Sequence, residues 1–355
     1  MVSSLGKGGA ERSSATLSKM LYSFGHEVHV VSVLNQIDYD FAGTILNLGE
    51  LKDKNDSIIG RYKRFVIFKK FLKAKKFDLV IDGRSKPNPL KEFFIHRLLY
   101  KNQNLIHVVH SSKLDTYLTR KKRIFNLVFG SVKVFVCVSR GIKDQVQKIY
   151  NTNKVRTIYN AVNIPENELD STDVPVMDFE YILYCGRLED KVKNVSLLID
   201  AFKISKLAPN GIKLLILGDG SDKPKLVKKV ETLELQGSVM FFPYKKNPFP
   251  YIKKAKFTVL TSRYEGFPMV VSESLALGVP VIAVNCPGPA EIIENGYNGL
   301  LVENFKEEVL AKAMNSFIFD KDLYQICKSN TKKSVEKFSF KHISKEWDRL
   351  IHQIE

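Results

Sequence analysis

Long apolar runs, cysteine-rich motifs and internal repeats are absent from this sequence of 355 residues. No stretch of about 18 apolar residues occurs, so no segment is expected to span a bilayer as a helix. The four cysteines, Cys137, Cys185, Cys286 and Cys327, lack metal-ligand spacing and are expected to be reduced thiols. Because the first residues, MVSSLGKGGAERSS, contain no apolar signal core, we expect a cytoplasmic rather than an exported protein.

Acidic residues are scarce in only one half of the chain. The net charge is +17, and residues 1–165 contain 29 Lys and Arg against 12 Asp and Glu. Residues 166–355 contain 26 of each kind. Since a merely solubilising surface would not segregate charge in this way, the first half is predicted to meet a polyanion: nucleic acid, an anionic membrane face or a phosphorylated substrate.

Short β-branched and aliphatic runs alternate with longer amphipathic segments along the whole chain. Such runs are typical of parallel strands buried on both faces. The predicted strands are residues 26–33, 77–82, 105–110, 133–139 and 154–160 in the first half, and residues 181–187, 212–218, 239–244, 257–262 and 280–285 in the second. The pattern predicts an α/β protein with two doubly wound Rossmann-like domains that face each other across a cleft.

The predicted domain boundary follows a change in composition. Residues 166–178 are acidic, contain proline and lack a helical period, so they are expected to link domains of residues 1–165 and 179–338. Residues 339–355 are expected to form a C-terminal helix that packs back toward the first domain. Residues 1–5 are interpreted as the end of a truncated first strand, because a parallel strand usually has about five or six residues.

Two cations follow the first strand of the second half. Arg187 stands at the carboxyl end of that strand, and Lys193 comes six residues later, just before a helix. The carboxyl ends of parallel strands form the ligand crevice of an open sheet. A fork-shaped guanidinium beside an ammonium suits an anion with several oxygens, although solvated loop charges are the alternative.

Glu265 and Glu273 flank a glycine-proline turn in SRYEGFPMVVSESLALGVP. Gly266 allows close backbone approach to a ligand, and Pro268 suits the first turn of a helix that runs through about Leu277. The N-terminus of that helix offers N–H groups to a phosphate. Because carboxylates repel phosphates, both glutamates are expected to accept hydrogen bonds from hydroxyl groups on either side of a diphosphate, as in a nucleotide sugar. Solvated surface glutamates are the alternative.

Arg187, Lys193, the Glu265 turn and Glu273 together resemble the E-x7-E signature of the retaining family-four glycosyltransferases of GT-B fold. The similarity extends over essentially the whole chain, through GGAER, LGDG, NPFPYIKKAKFTVLTSRYEGFP and GPAEIIENGYNGLLVE. The resemblance implies transfer of a hexose or N-acetylhexosamine from a nucleotide diphosphate sugar to an acceptor hydroxyl with retention of configuration. It also implies that no metal or other cofactor is needed.

The resemblance assigns roles to individual residues. Arg187 and Lys193 are implied to hold the diphosphate, Glu273 the ribose hydroxyls and Glu265 the transferred sugar, with His110 beside the reacting sugar. Arg187, Lys193, Glu265 and His110 are the implied catalytic residues. The implied donor-binding residues are Gly8, Gly9, Arg187, Lys193, Glu265, Gly266, Phe267, Pro268, Met269, Val270 and Glu273. FFP at 241–243 stands where relatives usually carry a glycine, so recognition of the base is left open. A UDP-sugar is preferred, and a GDP-sugar is the alternative because base contacts in this fold are often made by the backbone.

Two basic segments of the first half combine cations with apolar residues. Residues 57–77 place Ile58, Tyr62, Phe65, Val66 and Leu72 near one predicted helical face, and residues 117–130 repeat the theme. This pattern predicts association with an anionic membrane surface, at the inner face of the cell membrane, although an ordinary sheet-covering helix is the alternative. The cations assigned to the membrane or to a glycan or lipid-linked acceptor are Lys63, Lys69, Lys70, Arg120, Lys121, Lys122 and Arg123.

Three other functions compete with glycosyl transfer. A nucleotide-sugar epimerase has a similar architecture and stays open. An NAD enzyme is disfavoured, because LGDGSDKP lacks the third glycine of the dinucleotide fingerprint. A nucleic-acid-binding protein built on the basic half leaves the C-terminal motifs unexplained, so no nucleic-acid partner is expected.

Overall fold

The computed structural model describes residues 1–85, 88–119, 121–169, 177–303 and 305–354. The chain divides into two compact units: the first unit is Met1–Ala161 with Phe340–Glu355, and the second unit is Val162–Ser339. Residues 170–176, the middle of the predicted linker, lie outside the described residues. Just before them, Glu166–Glu168 form a single turn of 3-10 helix.

The first unit is built on parallel strands. Its elements are α1 (Gly9–Ser23), β1 (His29–Ser32), β2 (Thr44–Asn47), α2 (Ile58–Lys75), β3 (Val80–Asp82), α3 (Pro89–Leu98), β4 (Leu105–Val109), α4 (Lys122–Phe129), β5 (Val134–Cys137), α5 (Arg140–Tyr150) and β6 (Val155–Thr157). Strands β3, β4, β5 and β6 form one sheet in that order, and β1 pairs with β2. The first residues lie between the two sheets: the Val2 amide donates to the Val31 carbonyl at 2.9 Å, and the Gly83 amide donates to the Met1 carbonyl at 3.0 Å.

The second unit is a six-stranded parallel sheet in the order β12-β11-β10-β7-β8-β9. Its elements are β7 (Tyr181–Cys185), α6 (Asp190–Lys193), α7 (Val195–Ile204), β8 (Lys213–Leu217), α8 (Lys223–Thr232), β9 (Val239–Phe242), α9 (Phe249–Lys254), β10 (Thr258–Leu260), α10 (Met269–Ala276), β11 (Val281–Val284), α11 (Pro287–Ala290), β12 (Gly299–Val302), α12 (Glu307–Phe319) and α13 (Lys321–Ser334). The last helix, α14 (Phe340–His352), belongs to the first unit and contacts α1 there.

Both faces of the second sheet are buried. Ile182 and Tyr184 of β7 belong to one apolar cluster, whereas Tyr181 and Leu183 belong to the cluster on the other face. Strand β8 divides its side chains in the same alternating way. Two-sided burial is the reason these strands appear in the sequence as continuous apolar runs. Among the described residues, no helix combines the length and apolarity needed to cross a bilayer.

Local signals fix several helix ends. The side chains of Ser57, Asn88, Ser139 and Asp320 each accept a hydrogen bond from a backbone N–H three residues later, at the N-termini of α2, α3, α5 and α13. Helix α3 also has Pro89 in its first turn, where a missing N–H costs nothing. These caps satisfy N–H groups that a helix cannot pair internally.

The α/β fold with parallel sheets is confirmed, and each of the ten predicted strands is present but shorter than predicted. Strands β2 and β12 were not predicted. Strand β2 is mostly exposed and follows Gly43, and the apolar residues of β12 stand between Gly299 and Glu303, so neither lies in a long apolar run. Strand β12 is recognised only through its pairing with β11.

The predicted apolar face of α2 is correct only in part: Leu72 is buried, and Phe65 and Val66 are half-buried. Ile58 and Tyr62 are 83% and 67% exposed, and the buried residues of this helix are Phe68 and Leu72. Phe68 faces inward onto Tyr100, with ring centroids 6.4 Å apart. Because apolar residues occur all around α2, their spacing does not identify the side that packs on the sheet.

A charged cluster is buried beside the carboxyl end of β3. The Arg84 guanidinium donates to both Asp82 oxygens, at 3.0 and 2.8 Å, and to Glu92 of α3 at 3.1 Å. Arg84, Asp82 and Glu92 are all at most 5% exposed. Tyr100 donates its hydroxyl to Asp82 at 3.4 Å, and burial raises the pKa of that hydroxyl. The cluster joins β3 to α3.

Replacing Arg84 by methionine is expected to lower the free energy of unfolding by about 3–5 kcal/mol, since two buried carboxylates lose their cation. Urea denaturation followed by circular dichroism measures the change. Arg61→Met is the matched control, because the Arg61 side chain is 64% exposed and an exposed ion pair contributes about 0–1 kcal/mol. Equal losses in the two variants would contradict this account of the cluster.

Candidate functional site

Arg187 stands two residues beyond β7, at the carboxyl edge of the second sheet. Its side chain is 63% exposed and donates to Glu189 at 3.2 Å. The loop that carries Arg187 is anchored to the sheet, because the hydroxyl of Tyr184 in β7 donates a hydrogen bond to the Arg187 carbonyl at 2.9 Å. Tyr184 is fully buried, and burial raises the pKa of its hydroxyl, so the donor stays protonated. The guanidinium is therefore accessible on a fixed loop.

The LGDG turn after β8 packs against this loop. A Cβ at Gly218 would lie 2.0 Å from the Gly186 carbonyl oxygen, and a Cβ at Gly220 would lie 2.4 Å from the Leu188 carbonyl oxygen. Gly218 also has φ of +149°, which L side chains rarely adopt. Close backbone packing beside Arg187 thus requires glycine at both positions. This packing explains the two glycines of the LGDG motif.

Lys193 and Glu265 lie together. Lys193 ends the short helix α6, Glu265 stands in the loop between β10 and α10, and the Lys193 Nζ lies 2.5 Å from Glu265 Oε1. Their side chains are 21% and 13% exposed. The interpretation of Glu265 as a solvated surface acid is therefore wrong, and Lys193 is not a solvated loop cation.

Hydrogen bonds between the two loops hold this pair in place. The Arg263 amide donates to the Val192 carbonyl at 2.8 Å, and the Thr261 hydroxyl donates to the Lys193 carbonyl at 2.9 Å. The Arg263 guanidinium donates to the Asn194 side chain at 2.9 Å. Residues 70 positions apart in the sequence are thereby fixed within one small region.

Helix α10 begins directly after the glycine-proline turn, as predicted. Gly266, Phe267, Pro268 and Met269 are buried, and Val270 is half-buried. The Phe267 ring packs edge-on against Phe338, with centroids 5.1 Å apart. The first N–H groups of an α-helix have no intrahelical acceptors, so this anchored helix end can donate to an anion.

Glu273 lies inside α10 and is 3% exposed. Its neighbours Ser272, Ser274 and Leu275 are fully buried. A surface-helix position for this carboxylate, the alternative left open by the sequence, is therefore wrong. A buried acid on the helix that forms the site is suited to a ligand hydroxyl.

The short helix α11, which was not assigned to the site from the sequence, packs against the turn. A Cβ at Gly288 would lie 2.9 Å from Pro268 Cδ, 3.0 Å from Glu265 Cβ and 3.1 Å from the Gly266 carbonyl oxygen. The preceding Cys286 is buried, and burial raises the pKa of its thiol to about 12. The sequence GPAEIIENG, which begins within this helix, is part of the family resemblance. No residue type in it pointed to a role in the site.

The remaining predicted donor residues lie in the first unit. Gly8 caps α1 with φ of +152°, a backbone conformation that L side chains rarely adopt, so glycine is favoured there. Gly9 is the first residue of α1. His110 follows β4, is half-buried and packs against Tyr117, with ring centroids 6.0 Å apart. Their roles toward a donor stay predictions.

The predicted membrane cations lie on helices of the first unit. Lys63, Lys69 and Lys70 are exposed on α2. Lys121 precedes α4, which carries Lys122 and Arg123, and all three are exposed. Arg120 lies outside the described residues. The part of the chain that the structure describes contains no cluster of three or more His, Cys, Asp or Glu arranged to hold a metal ion.

All four cysteines are free thiols. Cys137, Cys286 and Cys327 are buried, and Cys185 is half-buried. Burial raises the pKa of the Cys327 thiol to about 11, so this group stays protonated at neutral pH.

Two family models match the chain. Residues 7–165 match the model described as Glycosyltransferase Family 4, and residues 167–334 match Glycosyl transferases group 1. The N-acetylgalactosamine-N,N'-diacetylbacillosaminyl-diphospho-undecaprenol 4-alpha-N-acetylgalactosaminyltransferase of Campylobacter jejuni is 28% identical over 97% of this chain and 96% of its own length. The amylovoran biosynthesis glycosyltransferase AmsD of Erwinia amylovora is 24% identical over 97% of this chain and 96% of its own.

A solved structure supports the fold. The HepE protein of Anabaena in complex with UDP superposes with a TM-score of 0.76 at 16% identity, over 99% of this chain and 98% of that one. The two family models together match nearly the whole chain. This chain therefore belongs to the family-four glycosyltransferases of GT-B fold, and it is a transferase.

Proposed function

We propose that the second unit binds a nucleotide diphosphate sugar and that the protein transfers its hexose or N-acetylhexosamine to an acceptor hydroxyl with retention of configuration. The observation that carries this proposal is the 2.5 Å contact between Lys193 and Glu265, on the edge of the sheet that also bears Arg187 and the N-terminus of α10. Cations and helix N–H groups suit a diphosphate, and the adjacent acid suits a sugar hydroxyl.

The ion pair explains how opposite charges serve one ligand. Lys193 donates to Glu265 through one of its three N–H bonds, so the ammonium keeps donors for a phosphate oxygen. The ion pair also fixes Oε1 of Glu265, which leaves Oε2 to accept a hydrogen bond from a hydroxyl of the transferred sugar. Carboxylate and phosphate can thus lie near each other because the ammonium lies between them.

Transfer requires charge stabilisation on the leaving group. The bond from the anomeric carbon to the diphosphate oxygen breaks, and a bond to the acceptor oxygen forms on the same face. The acceptor proton goes to the departing phosphate oxygen. Because negative charge grows on the diphosphate, Arg187, Lys193 and the α10 N-terminus stabilise the transition state more than the bound donor. No covalent sugar–enzyme bond through Glu265 is part of this proposal, and neither a metal nor another cofactor is.

The proposed nucleotide is UDP, with GDP as the alternative. Support comes from the HepE structure, which contains UDP in the same fold. The proposed acceptor is lipid-linked or part of a surface polysaccharide. The name of the Campylobacter relative specifies a diphospho-undecaprenol substrate, and that of the Erwinia relative specifies amylovoran biosynthesis. A lipid-linked diphosphate would also suit the positive charge of the first unit.

We further propose that the protein works in the cytoplasm, peripherally bound to the inner face of the cell membrane. The exposed lysines of α2 and the cations at the start of α4 support this proposal. Each cation near an anionic leaflet contributes about 1 kcal/mol. Such an arrangement would place the enzyme where lipid-linked acceptors reside.

A donor that binds is expected to raise the melting temperature by mass action, so thermal melts against a panel of UDP- and GDP-sugars identify it. Arg187→Ala is expected to remove most of that rise and to lower kcat by about 10²–10³-fold, as loss of one charge-stabilising donor does. The melt without donor should not change, since the Arg187 side chain is 63% exposed.

Lys191→Ala is the matched control for this experiment, because Lys191 is an exposed cation on the same short helix as Lys193. It is expected to keep both the donor-induced rise and the transfer rate. Equal losses in Arg187→Ala and Lys191→Ala would mean that general positive charge, rather than the site, is responsible. A product assay with added acceptor separates transfer from epimerisation of the donor.

Gly288→Ala is expected to lower kcat/KM for transfer by about tenfold or more, because small displacements of positioning groups have effects of this size. The added methyl would press on Pro268 and Glu265 and shift the turn. Gly237→Ala is the control, since its Cβ would meet no atom within 4 Å. Transfer assays on both variants measure the difference, and an unchanged rate in Gly288→Ala would remove α11 from the site.

Binding to vesicles that contain phosphatidylglycerol is expected at low salt and should weaken as ionic strength rises. Changing Lys121, Lys122 and Arg123 to alanine should weaken it further at low salt. The control is the set Lys228, Lys254 and Lys312, three exposed lysines of the second unit, changed to alanine. Equal binding to neutral phosphatidylcholine vesicles would contradict an electrostatic contribution.

A further inference from the structure

Helix α3 carries a row of apolar side chains on its solvent side. Leu90, Phe94 and Leu98 are 67%, 50% and 49% exposed. Their spacing of four residues places them one above another on a single helical face. The opposite side of the helix is the buried one, with Ile95 and His96. The row is therefore not needed for the core of the first unit.

Helix α4, the neighbour of α3, exposes one further large apolar side chain. It packs against α3, and its buried residues are Phe125, Val128 and Phe129. Leu127, between them in the sequence, is 57% exposed. We call Leu90, Phe94, Leu98 and Leu127 with the cations around them the α3–α4 face. Four large exposed apolar side chains on two helices that pack together favour a contact with another molecule or a membrane.

The charge around the α3–α4 face has one sign. Residues 88–133 contain only two acids, Glu92 and Asp115. Glu92 is 3% exposed and pairs with Arg84, so it presents no charge to the solvent. The exposed cations of the face are Lys91, Arg97, Lys101, Lys121, Lys122 and Arg123. Asp115 is half-buried. Six exposed cations against one half-buried carboxylate leave the surroundings of the apolar row strongly positive.

We propose that the α3–α4 face is a membrane-docking surface, on which the four apolar side chains enter the boundary between headgroups and acyl chains while the cations bind anionic headgroups. The inference deepens the proposed membrane association and rests on it. It adds an apolar component that the cations of α2 and α4 do not supply. Apolar area and positive charge on one helical surface are the two components of interfacial binding.

Charge complementarity favours a membrane over a second protein. Interfaces between proteins are depleted in lysine at their centres, whereas this row is bordered by lysines and arginines. Long cationic side chains can instead extend toward headgroups while apolar neighbours lie deeper. Helix α2 contacts this region through the Phe68–Tyr100 ring pair. It also exposes apolar side chains, Ile58, Ile59 and Tyr62, in addition to its lysines.

Flotation with vesicles tests the proposal on the whole chain without donor or acceptor. The vesicles contain either phosphatidylcholine alone or phosphatidylcholine with phosphatidylglycerol. The triple variant Leu90→Ser, Phe94→Ser, Leu98→Ser is expected to partition into the anionic vesicles at least about tenfold less than the wild type, because three apolar groups no longer enter the interface. The loss should persist at high salt, where the electrostatic part is screened.

The matched control is Ile204→Ser, Phe319→Ser, Ile326→Ser in the second unit, whose side chains are 51%, 52% and 50% exposed. It should bind vesicles as the wild type does. Wild-type partition of the α3–α4 triple variant would overturn the proposal. So would a change from dimer to monomer on gel filtration with vesicle binding unaltered, since the face would then join two copies of the chain.

The UDP-induced rise of the melting temperature is measured in the same variants. Because the α3–α4 face lies in the first unit and the proposed diphosphate contacts lie in the second, this rise is expected to be the same in wild type and triple variant. Normal vesicle binding with no nucleotide response would contradict the proposed donor site and leave the docking surface supported. Lost vesicle binding with a normal nucleotide response supports docking through this face.

Discussion

The chemistry of the second unit depends on a parallel sheet buried on both faces. Because alternate residues of β7 and β8 belong to opposite apolar clusters, neither strand can slip by one residue without exchanging its two cores. The strand ends are therefore fixed, and so are the loops that follow them. Arg187 follows β7, and Glu265 follows β10, the neighbouring strand. Packing of apolar side chains thus sets the positions of charged groups that are far apart in the sequence.

In the proposed donor site, the ion pair of Lys193 and Glu265 would resolve an electrostatic difficulty. A carboxylate that approaches a diphosphate is repelled unless a cation lies between them. The short contact supplies that cation, and the hydrogen bonds from Thr261 and Arg263 keep the two loops together. Gly288 packs so closely against Glu265 and Pro268 that a side chain there would displace the glycine-proline turn. The site therefore combines attraction, repulsion and packing, and no single residue defines it.

The sequence was sufficient for the parts that depend on local pattern. Continuous apolar runs predicted ten strands, and Pro268 marked the start of α10 correctly. It was insufficient where tertiary packing decides. The inner face of α2 was partly misassigned because apolar residues surround that helix. Strands β2 and β12 were missed because β2 is mostly exposed and β12 stands between Gly299 and Glu303 rather than within a long apolar run. The role of Gly288 depends on a contact with Glu265, 23 positions away, which spacing cannot show.

The two halves of the chain use positive charge in physically different ways. In the second unit, Lys193 is largely shielded from solvent and contacts its acid directly, so dissolved salt screens that contact little. In the first unit the excess cations are exposed on α2, α3 and α4, where interactions beyond about 8 Å are largely screened at physiological ionic strength. Donor binding should therefore tolerate salt that weakens the electrostatic part of surface association. Under the two proposals, the charge asymmetry of the sequence would separate a short-range chemical function from a long-range attractive one. The exposed apolar row of α3 would give the attraction a component that salt does not remove.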